Sequence, residues 1–119
     1  GDPLDILVMT GAELFPGCLI EARVIGVMRM VDQGVEDDKI IAVATKDVTL
    51  SHIQKIEDLP PHYKIELDHF FEHYSELEGK KVTVPGFEGR AVAEKVITDS
   101  FDAYLAAYGA RFPLAHRTQ

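Results

Sequence analysis

The chain has 119 residues, of which 46% are hydrophobic and 27% charged, and it carries a formal net charge of -8 at pH 7. This size and composition, without a long apolar run, describe one domain or a large piece of one, and nothing reads as a signal peptide or a membrane span. The acidic balance argues against a nucleic-acid binder, whose affinity rests on Lys and Arg, and the single Cys18 excludes an internal disulfide framework and suits a reducing compartment.

The first stretch, Gly1-Asp2-Pro3-Leu4-Asp5-Ile6-Leu7-Val8, sets two carboxylates on either side of Pro3. Proline pushes the residue before it into an extended conformation, so Asp2 sits on rigid backbone at the entrance to a strand. From Leu4, the alternation of Leu4, Ile6 and Val8 with Asp5, Leu7 and Met9 has the period of that strand. Two close carboxylates on rigid backbone suit a hard divalent cation such as Mg²⁺, which takes oxygen ligands. An ordinary turn is the plainer alternative.

Thr10 to Gly17 reads as a loop, and Cys18 to Val31 as a long strand or a bent pair. Its even positions, from Cys18 through Ile20, Ala22, Val24, Gly26 and Met28 to Met30, are compatible with burial, while Glu21, Arg23 and Arg29 fall on the odd face. Gly26 predicts a bulge or bend. Asp32 to Lys39 follows with four acids and one lysine in eight residues. Such a run is ordinarily a solvated loop, but two acidic clusters meeting at the mouth of one sheet would have their repulsion relieved by a cation. Lys39 to Thr45 is apolar on both faces and predicts a buried strand.

Lys46 to Pro61 loses periodicity and reads as a surface excursion with one helical turn. Pro61 suits the first position of a helix whose Tyr63, Leu67, Phe70, Phe71, Tyr74 and Leu77 form an apolar face, with Gly79 as its stop. Val82 to Pro85 predicts a short strand, with Gly86 and Gly89 bracketing a turn. A last helix presents Ala93, Val96, Ile97, Phe101, Tyr104, Leu105 and Tyr108 on one face and ends at Gly109 and Pro113. Within the first helix, His69-Phe70-Phe71-Glu72-His73 formally matches the H-x-x-E-H pattern of a class of zinc peptidases, in which His69 and His73 would hold zinc. Half-exposed helix residues beside an aromatic stripe are the preferred reading.

The run from Gly1 to Ile6 resembles the Asp-x-Asp-Pro-(apolar)-Asp-(apolar) signature of the family I soluble inorganic pyrophosphatases, lacking only its first Asp. The resemblance continues through Pro16-Gly17, Gly26 to Asp32, Glu36-Asp37-Asp38-Lys39 and His69 to Tyr74, and is closest to the bacterial branch. It implies an α+β protein with a mainly β core: an OB-like five-stranded β-barrel flanked by two α-helices. It also implies Mg²⁺-dependent hydrolysis of pyrophosphate to two phosphates, a cytoplasmic location and a homo-oligomer, in bacteria a hexamer. Matched by position, Asp5, Asp32 and Asp37 resemble metal ligands, with Asp38 the alternative to Asp37. Asp2 resembles the acceptor of the attacking water's proton, and Lys39 and Tyr74 resemble donors to phosphate oxygens.

Two departures stand against the family pattern. The first barrel strands and several active-site groups of that family precede the point matching Gly1, so residues 1–119 are expected to be a pyrophosphatase domain truncated at its N-terminus, poorly stable and nearly inactive alone. Ser75 stands where members often carry a phosphate-binding Lys; Lys80 and Lys81 are near in sequence. The alternative function is a non-catalytic oligomerisation or interaction module derived from the same fold.

Overall fold

The structure is a computed structural model that describes residues 4–11 and 19–108. Five strands, β1 (Asp5–Met9), β2 (Ala22–Asp32), β3 (Val35–Glu36), β4 (Lys39–Ala44) and β5 (Val82–Gly89), form one sheet, flanked by two helices, α1 (Pro61–Leu77) and α2 (Arg90–Tyr108). This is the expected α+β composition. Among the described residues no helix is long and apolar enough to cross a membrane.

β2 is the hub of the sheet. It pairs antiparallel with β3, β4 and β5, while β1 joins β4 in parallel. Val31 and Asp32 pair with both β3 and β5, which places those two strands on opposite edges of β2. Lys39 stands opposite Met28 and Glu36 opposite Val31, so β3 and β4 follow one register along the same edge, broken only at Asp37 and Asp38. The hairpin from β2 to β3 turns at Gln33 and Gly34, with φ of 52° and 83°. Two successive left-handed residues match the twist of the flanking strands, and glycine supplies one at no steric cost.

Each sheet face buries its own apolar cluster. Ile25, Met28, Met30, Ile41, Val43 and Val82 pack with Ile53, Ile56 and Leu59 of the segment before α1, and Leu67 and Phe71 of α1 close over them. On the opposite face Val27 and Ile40 pack against Ala93, with Val92, Val96 and Ile97 of α2 around them. The change of parity along β2, from Ile25 to Met28 on one face and from Val24 to Val27 on the other, is the register shift between Val24 and Gly26. The predicted bulge is therefore present, and its even-face pattern holds only beyond it.

The segment between β4 and α1 makes two short 3-10 turns, Val48–Leu50 and Ile56–Asp58. The Arg23 guanidinium fastens it to β2, donating to the carbonyl oxygens of Ile53 at 2.7 Å and Leu50 at 3.4 Å. Pro61 occupies the first turn of α1, as predicted. The helix stops at Gly79, φ 73°, where the Lys80 amide donates to the Ser75 carbonyl at 2.9 Å and the Gly79 amide to Glu76 at 3.0 Å, the paired bonds of a Schellman ending.

Several boundaries differ from the sequence reading. β2 begins at Ala22, and Leu19 to Glu21 before it are exposed; Cys18, Pro16 and Gly17 lie outside the described residues. The turn expected between Gly86 and Gly89 is strand, because β5 continues to Gly89 with Gly86 opposite Arg29 and Gly89 opposite Gly26. Close approach in this ladder is confined to Gly26, where a Cβ would lie 2.5 Å from the Glu88 carbonyl oxygen and 3.1 Å from Ile56, whereas a Cβ on Gly86 or Gly89 would meet nothing within 4 Å. α2 starts at Arg90, and the side chains of Tyr104, Leu105 and Tyr108, like Gly109 and Pro113, lie outside the described residues. The apolar face of α1 is split. Leu67 and Phe71 are packed, whereas Tyr63, Phe70, Tyr74 and Leu77 are exposed.

Candidate functional site

Parallel pairing of β1 with β4 sets Asp5 opposite Lys39. The Lys39 Nζ donates to Asp5 Oδ2 at 2.7 Å and to Asp37 Oδ2 at 3.0 Å. The lysine side chain is only 7% exposed, while those of Asp5 and Asp37 are 58% and 38% exposed, so the ammonium is drawn in behind a rim of two carboxylates that reach solvent. Burial by itself lowers the pKa of the lysine, and the hydrogen bonds to Asp5 and Asp37 outweigh it, leaving the pKa above the ordinary lysine value.

Asp37 and Asp38 part ways because successive side chains in extended backbone point to opposite faces. Asp37 joins Lys39 and Asp5. Asp38 turns to β2, where its Oδ2 accepts from Arg29 Nη1 at 2.7 Å and its Oδ1 from the Met30 amide at 3.3 Å. Arg29 also donates through Nε to Glu88 of β5. The Asp37 amide donates to the Met30 carbonyl at 2.8 Å, so both acids of the break are tied to the same residue of β2.

Asp32 closes β2 beside the hairpin, and its Oδ1 is buried with no hydrogen-bond partner. A buried unpaired oxygen of this kind costs about 1–3 kcal/mol unless something satisfies it. The turn next to it is anchored by the Gln33 amide, which donates to the Lys81 carbonyl at 2.9 Å. Among the described residues no three His, Cys, Asp or Glu side chains stand close enough to hold a metal ion together. The donor set nevertheless fits a hard divalent cation in chemistry: oxygen atoms only, one of them orphaned, and two already gathered around a positive charge.

Tyr74 stands apart from this group. Its ring is stacked on Phe70 with centroids 6.0 Å apart, 53% of the residue is exposed, and among the described residues the bonds of Asp5, Asp37 and Asp38 go to Lys39, Arg29 and Met30 and not to it. Asp2 lies outside the described residues. Ser75 is buried at the end of α1, whereas Lys80 and Lys81 line an open cavity of about 520 Å³ with Glu72 and Glu76. His69 and His73 are exposed along α1. The carboxyl of Glu72 is held above its usual range, chiefly by a hydrogen bond shared with Asp68. Sequence reasoning brought Asp5, Asp37 and Lys39 to one place but gave no part to Arg29 or Glu88. The signal for Arg29 was a guanidinium between Met28 and Met30 in the otherwise apolar run from Val24 to Val31.

The family model for inorganic pyrophosphatase matches residues 1–105. The chain belongs to the inorganic pyrophosphatase family. It is 47% identical over 104 residues to the inorganic pyrophosphatase of Geobacillus stearothermophilus, a match covering 87% of this chain and 63% of that protein. Among solved structures, the inorganic pyrophosphatase of Helicobacter pylori superposes with a TM-score of 0.80 at 39% identity, over 87% of this chain and 63% of that one. That of Thermus thermophilus gives a TM-score of 0.76 at 41% identity, over 92% and 62%. The chain thus spans less than two thirds of the length of these pyrophosphatases. Its sheet and both helices are a mixed α+β pyrophosphatase fold.

Proposed function

We propose that the chain carries the cation-binding part of a Mg²⁺-dependent inorganic pyrophosphatase, which hydrolyses pyrophosphate to two phosphates. The reading rests on one observation above all: Asp5 and Asp37 converge on a buried Lys39 at 2.7 and 3.0 Å, at the positions where the family motif has its metal ligands and its phosphate-binding lysine. Asp5, Asp32 and Asp37 are the residues proposed to hold Mg²⁺. The bound ion would neutralise phosphate oxygens and make water a stronger acid. Asp37 takes this role over Asp38, whose oxygens are bonded to Arg29 and Met30.

Phosphoryl transfer to water depends mainly on positioning and on neutralising charge. Lys39 brings a point charge to one phosphate, Tyr74 a directional hydroxyl, and Asp2 takes the proton of the attacking water. The exposed Tyr74 leaves its hydroxyl available to such a ligand. The proposal extends to an OB-like barrel containing the present sheet, a cytoplasmic location and a homo-oligomer, all on the family resemblance.

Phosphate release from pyrophosphate, measured with and without Mg²⁺ on this chain and on a version extended upstream, tests the reading. Mg²⁺-dependent release in either version, abolished by Asp37→Asn, is expected. Silence in both overturns it in favour of the non-catalytic module, for which the buried Ser75 in place of a phosphate-binding lysine is the favouring observation.

A further inference from the structure

β3 and β4 share one register along β2, and the two residues missing from that ladder are Asp37 and Asp38. Breaking a ladder leaves backbone groups of the partner strand in need of partners. Here the Met30 carbonyl accepts from the Asp37 amide at 2.8 Å, and the Met30 amide donates to the carboxylate of Asp38 at 3.3 Å, a side chain standing where a strand carbonyl would. The other oxygen of Asp38 accepts from Arg29 Nη1 at 2.7 Å, and Arg29 reaches on to Glu88 of β5. The Asp38 side chain is 12% exposed, against 38% for Asp37. One acid of the pair is therefore fastened to β2, while the carboxylate of the other turns to Lys39 at the solvent-reaching rim.

We propose that Asp38, held by Arg29, is a positioning residue that bends the strand line and aims Asp37 at the cation, so that the Arg29–Asp38 pair tunes divalent-cation affinity without touching the ion. This inference rests on the cation site proposed above. Groups behind metal ligands commonly change affinity by about 10–100-fold when removed. The competing role for Asp38, as a ligand in its own right, predicts the opposite sign for one substitution. Releasing Asp38 from Arg29 would free a ligand and tighten binding, whereas releasing a pin would loosen it.

The test is a Mn²⁺ titration of the full chain by electron paramagnetic resonance, comparing the parent with Arg29→Met, Asp38→Ala and Asp38→Asn. Both Arg29→Met and Asp38→Ala are expected to weaken Mn²⁺ binding by about tenfold or more with unchanged stoichiometry. Asp38→Asn, which keeps an acceptor for the Met30 amide, should lose less. Hydrogen exchange at the Asp37 amide, followed in Asp38→Asn, should quicken and gives a second reading if Asp38→Ala fails to fold. Tighter binding in Arg29→Met, or parent-like affinity and exchange throughout, overturns the inference while leaving the cation site standing. A parent chain that binds no Mn²⁺ removes the cation site itself, and this inference with it.

Discussion

β4 and the aromatic stretch of α1 are both apolar in sequence, yet they meet opposite fates. Every residue of β4 from Lys39 to Ala44 is buried, whereas Tyr63, Phe70, Tyr74 and Leu77 of α1 are 40%, 58%, 53% and 74% exposed. β4 has β1 and β2 on its edges and an apolar cluster on each face. Among the described residues α1 packs on one surface, and Leu67 and Phe71 occupy it. Apolarity measures what a residue gains from burial, but only the surroundings decide whether the gain is collected.

The sharpest way to break this contrast is to truncate one residue on each side of it. Ile41→Ala, at a position 1% exposed, is expected to cost about 2–5 kcal/mol, and Phe70→Ala under about 1 kcal/mol, both read by chemical denaturation. Similar losses at the two positions would mean that α1 is covered in solution. Next in size is Gly26→Ala. Its new methyl would meet the Glu88 carbonyl oxygen at 2.5 Å, and the overpacking should cost about 1–3 kcal/mol in the same measurement.

Electrostatics sharpens the contrast further. The pKa of Lys39 is raised in the folded chain, so its stabilising contribution is fully present below the unfolded lysine value of about 10.4 and is lost as pH rises through the higher folded value. Urea midpoints of the parent should fall in that alkaline window, and those of Lys39→Met should not show this component. The smallest effect belongs to α1. Glu72 is raised by its hydrogen bond with Asp68, so this pair stabilises below the ordinary Glu range and loses its contribution as pH climbs through the raised value. Asp68→Asn should flatten that step in the mildly acidic part of a pH–stability profile.

Much of the sheet was legible from residues alone. Period-two alternation located β1, the two-faced apolar run located β4, and Gly26 announced the bulge that reverses the faces of β2. Gly86 and Gly89 misled because glycine is read as a turn former, yet both stand in the β5 ladder opposite Arg29 and Gly26 with open space where a Cβ would go, so pairing with β2 and not residue type sets the backbone there. The carboxylate cluster was legible by residue type and family motif, and the spacing to Lys39 favoured Asp37 over Asp38, but the fastening of Asp38 to Arg29 and Met30 was not legible. It depends on where the ladder of β2 breaks, a matter of register between segments that sequence spacing does not carry.

Isothermal titration of the chain with Mg²⁺, repeated on Asp32→Asn and Asp37→Asn, bears most directly on the claim that these carboxylates form a cation site. Saturable binding in the parent, weakened by at least about tenfold in each variant, is the predicted result. Binding that survives both substitutions unchanged, or no binding in the parent, would contradict it.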